Sequence, residues 1–202
     1  MAPEYFLDTA LRGALKLLPP NMDSLAARAM VLAICLQESK LAFRKQIGGP
    51  ARGYAQFEAS GGVTGVLTHA SSSSYAKAVC ASLDVGATVT AVYTALEHND
   101  VLAAAFARLL LWTLPNTLPG KLDVEAGWQQ YLAAWRPGKP HKETWDANWA
   151  LAWATVEERA RTEALTMDSL SIKLAAVDFV ESFTKLQLQV GAAKKLLAEH
   201  HA

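Results

Sequence analysis

An all-α fold is expected from three features of the sequence. Apolar residues recur at helical spacing through most of the chain, and no long stretch alternates with a period of two. Proline and glycine gather between the periodic stretches, where breakers between helices belong. With 202 residues and a 51% apolar composition, the chain is long and apolar enough to bury one sizeable core.

The first helix is expected over about residues 4–18, where Leu7, Leu11, Ala14, Leu15 and Leu18 share a face. Pro19 and Pro20 end it, because proline cannot donate a backbone hydrogen bond and disfavours helix in the residue before it. Asn21 or Asp23 would cap a second helix running to Glu38, with Ala26, Met30, Ile34 and Cys35 as its apolar stripe. Gly48, Gly49, Pro50 and Gly53 mark a loop, and Gly61, Gly62 and Gly65 a second irregular stretch. Short helices are expected over 75–83, 87–97 and 101–112, the last capped by Asn99 or Asp100. Another spans 123–134, and Pro137, Gly138 and Pro140 separate it from a helix over 145–163.

The last segment differs in character. Between 168 and 199 there is no Trp, Tyr, Pro or Cys, while Leu170, Leu174, Val177, Val180, Phe183, Val190, Ala193 and Leu197 recur at roughly helical spacing. A single helix of that length would reach about 48 Å, beyond the width of a small domain. Either it packs on its own domain, breaks near Gly191, or pairs with another chain. The expected division is a domain over 1–163 and a helical extension over 164–202, with 168–199 as a surface for self-association or assembly.

Charge and composition exclude several classes. Nineteen Lys and Arg balance nineteen Asp and Glu, which argues against nucleic-acid binding driven by phosphate neutralisation. No unbroken apolar run approaches the ~18 residues of a membrane span; the longest, 25–37 and 101–113, each carry an arginine. Met1-Ala2-Pro3-Glu4 places an acid where an export signal carries lysines, so no signal peptide is expected. Cys35 and Cys80 lie in apolar surroundings and read as reduced core residues. The histidines, including the terminal His200-His201 pair, show no metal-ligand spacing, and neither metal nor cofactor is expected.

The stretch that carries chemistry is QESKLAFRKQIGGPARGYAQFE, from Gln37 to Glu58. Glu38 closes an apolar helix, where partial burial would disfavour its charged form and raise its pKa. A carboxyl group held protonated near neutral pH suits glycosidic cleavage, since the departing sugar oxygen must receive a proton. A Glu-Ser pair, a loop, then Gly-x-x-Gln is also the signature that the lysozyme-like lytic transglycosylases carry. This chain resembles that family through Glu38-Ser39 and Gly53-Tyr54-Ala55-Gln56. It is similar to virion-associated muralytic proteins of bacteriophages through GPARGYAQFE, GGVTGVLTH and WRPGKPH. The resemblance is specific over about 37–69 and extends in arrangement over about 20–155.

The resemblance implies a lysozyme-like fold and cleavage between N-acetylmuramic acid and N-acetylglucosamine in peptidoglycan, without a cofactor. Glu38 would be the acid and then the base, and Ser39 would orient it. Gly53 would let the backbone approach the sugar, and Tyr54 and Gln56 would bind the glycan. Glu58, two residues on, either joins the cleft as a second carboxylate, which would permit hydrolysis, or braces a loop. Asp100 reads better as a helix cap than as an acid. The family's late Ala-Tyr-Asn segment is missing; Tyr131 and Trp135 stand at a comparable place, and Arg136 would meet an acidic group or hold its loop.

All six tryptophans lie between 112 and 153. Trp145, Trp149 and Trp153, four apart, read as a core stripe, which leaves Trp128 and Trp135 as the candidate sugar platforms. No Gly-x-Ser-x-Gly, phosphate-binding glycine loop or His-Glu-x-x-His occurs, and no spacing signature supports a Cys80–His69 pair. The phage resemblance implies an enzyme carried in the virion, in the host cytoplasm before assembly, that opens the wall locally during DNA entry. A hydrolytic endolysin and an inactive structural virion protein of the same fold are the rival expectations.

Overall fold

The computed structural model describes the backbone of residues 1–199 and the side chains of 1–175 and 177–191. It is mostly helical, as expected. Among these residues no strand forms; Lys45 with Arg52 and Arg52 with Phe57 make isolated antiparallel bridges. Two compact units divide the chain, Met1–Glu158 and Arg159 onward. His200 and His201 lie outside the described residues.

In the first unit, α1 (Pro3–Phe6) and α2 (Arg12–Lys16) flank a π-helical stretch, Leu7–Leu11. The predicted stripe of Leu7, Leu11, Ala14, Leu15 and Leu18 is buried, Phe6 and Ala10 are buried with it, and the helical stretch lies against α7. Helix α3 (Leu25–Ser39) starts neither at Asn21 nor at Asp23. Ser24 caps it, its hydroxyl accepting from the Ala27 amide at 3.1 Å. Asp23 instead receives a two-point hydrogen bond from Arg28, at 2.7 and 2.8 Å, so its carboxylate is drawn toward the guanidinium. From Ala29 through Leu36 every residue of α3 is buried, so the helix runs through the core.

Helices α4 (Thr64–Thr68), α5 (Ser73–Ser82) and α6 (Val89–Ala95) are short, and α7 (Asp100–Trp112) is almost wholly buried. Asn99 caps α7 by accepting from the Leu102 amide. Asp100 is not the cap: it holds Arg44 at 2.7 Å through both carboxylate oxygens. The buried Arg108 donates from Nε to the Met22 carbonyl at 2.8 Å and lies over the Trp112 ring. Burial lowers its pKa to about 10.

Helix α8 (Val124–Trp135) packs on the start of α9 (Lys142–Glu199), which joins the two expected helices and continues through Gly191. Trp145, Trp149 and Trp153 are buried, as their four-residue spacing predicts. Trp128 is buried as well, 5.6 Å from Trp145 and 5.2 Å from Tyr131 between ring centres. It is therefore core and not a sugar platform. Gly127 allows this packing, since a Cβ there would lie 2.7 Å from the Trp149 ring.

The second unit is the remainder of α9. Its large apolar side chains from Leu165 to Val190 are exposed.

Candidate active site

Glu38 occupies the last turn of α3, which ends because Lys40 and Leu41 both take left-handed backbone angles. The chain then returns through residues 44–57 as a tight hairpin. Arg52 and Phe57 exchange both backbone hydrogen bonds, at 2.8 and 2.9 Å, so Gly53-Tyr54-Ala55-Gln56 forms the tip. Gly53 has a φ of +70°, and a Cβ on it would stand 3.0 Å from the Leu96 carbonyl oxygen and 3.1 Å from Ala103 Cβ. Glycine is required there by backbone shape and by contact with the core.

The hairpin is tied down from several directions. The Ser39 hydroxyl lies 2.8 Å from the Tyr54 carbonyl and 3.0 Å from the Cys35 carbonyl. Tyr54 is buried against Phe6, and Arg44 lies over its ring. Arg52 pairs with Glu97 at 2.9 Å, while the Tyr93 hydroxyl donates to the Pro50 carbonyl. From α8, the Trp135 indole N–H donates to the Ala55 carbonyl at 2.7 Å.

The result is a cleft of about 1170 Å³ beside the end of α3. Glu38, Gln56, Glu58, Tyr131 and Trp135 all line it. Gln56, held at a φ of +51°, donates from Nε2 to the Gly53 carbonyl at 2.8 Å, which fixes the side chain at the cleft wall. Three sequence candidates stand elsewhere. Ser39, Gly53 and Tyr54 are buried and do not line the cleft; they hold the hairpin against α3 and α7. Ser39 makes its hydrogen bonds to backbone carbonyls, not to the Glu38 carboxyl.

The Tyr131 hydroxyl donates to Glu38 Oε1 at 2.6 Å. Its ring stacks on Trp145, with centres 5.3 Å apart and planes at 18°, so the hydroxyl has little freedom to move. Burial pushes the Glu38 pKa up to about 7, and the Tyr131 hydrogen bond offsets part of that rise by favouring the carboxylate. Burial and the neighbouring Glu38 both raise the Tyr131 pKa, so the phenol stays protonated.

Glu58 is exposed on the cleft wall, at the residue before the π-helical stretch Ala59–Val63. Arg136, also exposed and lining the cleft, caps α8 in a left-handed conformation. One residue of the cleft wall escaped the sequence reading. Gln37 donates to the His141 carbonyl at 2.8 Å and accepts from Thr144 at 3.1 Å and Asn148 at 2.8 Å. This clamp ties the turn before Glu38 to the 136–141 lip. Its partners are over a hundred positions away, so nothing local signals it.

Cys80 is buried, and burial raises its pKa, so the thiolate needed by a nucleophile is disfavoured. His69 is exposed and hydrogen-bonded to Ser71. Among the described residues no group of three or more His, Cys, Asp and Glu is placed to hold a metal ion. No helix among them is long and apolar enough to cross a membrane. Comparison with protein-family models, with curated proteins and with solved structures finds no match to this chain.

Proposed function

We propose that the chain is a peptidoglycan-cleaving lytic transglycosylase with a lysozyme-like catalytic unit. The observation that carries the reading is Glu38: a carboxyl group with a pKa near 7, in a cleft of polysaccharide size, sharing that cleft with the glutamine of its signature. Glu38 protonates the glycosidic oxygen as the bond to muramic acid C1 breaks. The resulting carboxylate then takes the proton from the C6 hydroxyl of the same sugar. That oxygen attacks C1 and closes a 1,6-anhydro ring, with no water consumed. The Tyr131 hydrogen bond stabilises the carboxylate between the two proton transfers. No cofactor enters this scheme.

Glu58 favours a second reading. It lines the same cleft and is exposed, so it is available to activate a water; the enzyme would then hydrolyse the bond, as an endolysin does. The likeness of GPARGYAQFE, GGVTGVLTH and WRPGKPH to phage muralytic proteins supports an enzyme held in the virion, and in the host cytoplasm before assembly, for local wall opening.

The test is mass spectrometry of purified peptidoglycan digested by the wild type and by Glu38→Gln. New 1,6-anhydromuramoyl ends, absent with the variant, are the expected outcome. Reducing ends would move the assignment to hydrolysis with Glu58. No fragments from either protein would leave a structural virion protein with a lysozyme-like fold.

A further inference from the structure

Helix α9 beyond Glu158 carries two apolar stripes, not one. At about 100° of rotation per residue, Leu165, Ile172, Phe179, Phe183, Leu186 and Val190 fall on one side. Met167, Leu170, Leu174, Val177 and Leu188 fall on the other. All eleven are exposed, at 47–71%. Between the stripes run two polar strips. Ser169, Lys173, Thr184 and Gln187 occupy one, which also holds the exposed Val180, and Ser171, Asp178, Ser182 and Gln189 the other.

This four-sector pattern selects among occupants. A surface helix has one apolar face and one polar face, and a membrane span is apolar all round. Two apolar seams divided by two polar strips instead suit a helix flanked by a neighbour on each side. The spacing identifies the neighbour. Phe179, Phe183, Leu186 and Val190 step by four, three and four residues, as do Leu170, Leu174 and Val177 by four and three. That is the repeat by which helices of equal period interlock, and this chain itself supplies such a helix. In the second seam Lys173 and Asp178 fall at flanking positions five residues apart, where parallel copies in register pair opposite charges.

We infer that the helix over 165–190 assembles this protein with copies of itself, through both seams, into an oligomer of three or more chains. Glu181 and Lys185 interrupt the second seam, whereas the first carries a charge at Asp168 and none from Phe179 to Val190, so the seam built on Phe179 and Phe183 is the stronger. A single seam used between two helices gives each chain one partner; two seams on opposite sides let each chain take a partner on both. This inference stands apart from the catalytic reading, since it uses no residue of the cleft.

The experiment is light scattering coupled to size-exclusion chromatography on the full-length chain. Wild type is compared with Phe183→Glu, Leu174→Glu and the double variant, with circular dichroism confirming equal helix content. The wild type is expected at three or more times the chain mass, each single variant at about twice, and the double variant at the chain mass. A monomeric wild type overturns the proposal. So does a wild-type dimer, or an oligomer whose mass Leu174→Glu leaves unchanged, which would mean one seam only. Flotation of a monomeric wild type with anionic lipid vesicles, lost on Phe183→Glu, would overturn it in favour of a membrane surface.

Discussion

Glu38 is costly to bury charged, and in the proposed function that cost is what keeps it protonated as the acid. With a folded pKa near 7 against an ordinary value of 4.5, it takes up a proton on folding at intermediate pH. The sign follows from linkage: its favourable contribution is complete below about pH 4.5 and is lost as pH rises through 7. Glu38→Gln is therefore expected to be more stable than wild type above pH 7, by an amount on the order of 3 kcal/mol, and about equal at pH 4. Thermal unfolding at the two pH values measures this. If Glu38 is the acid, turnover falls above about pH 7 in the wild type. Tyr131→Phe removes a hydrogen bond to the carboxylate, so the alkaline limb moves to higher pH. An unmoved limb would separate Tyr131 from the titrating group.

At the scale of elements, the hairpin 44–57 is the piece on which the cleft depends. Its position comes from the end of α3, through Ser39 and two left-handed residues, and from Gly53 pressed against Leu96 and Ala103. Gly53→Ala meets both a strained φ and two close contacts, one of them to backbone that cannot swing aside. A loss of about 1–3 kcal/mol is expected. Urea unfolding measures it, and turnover is expected to drop with it because Gln56 shifts. Gly48, also at a φ of +70° but with nothing within 4 Å, provides the control. Gly48→Ala meets the strained backbone angle alone, so its effect is expected to be the smaller.

For the whole molecule, the division of labour is the main feature. Every side chain of the described core lies between Phe6 and Val156, so the first unit closes its own hydrophobic interior. In the second unit the large apolar side chains from Leu165 to Val190 are exposed. If the proposed activity holds, a chain ending at Glu158 is expected to retain cleavage of peptidoglycan and to run as a monomer. Loss of cleavage with the fold intact, by circular dichroism, would show that assembly is part of catalysis.

Much of this was open to a reader of the sequence because it depends on near neighbours. Helical stripes, proline stops, the tryptophan row at 145, 149 and 153, and the buried cysteines follow from spacing and polarity alone. Glu38 and Gln56 were legible as a motif, and their shared cleft followed. Other features rest on residues far apart in the chain, and only the tertiary structure decided them. Asp23 and Asp100 both looked like caps, and each was taken by an arginine that local sequence could not place beside it. Ser39, Gly53 and Tyr54 looked like groups that touch substrate. They proved to be the packing that holds Gln56, because their burial depends on α1 and α7. The hydrogen bond from Tyr131 to Glu38 spans 93 positions. Periodicity constrains what lies within a turn or two of helix, whereas the pKa of a catalytic acid is set by whatever the fold brings against it.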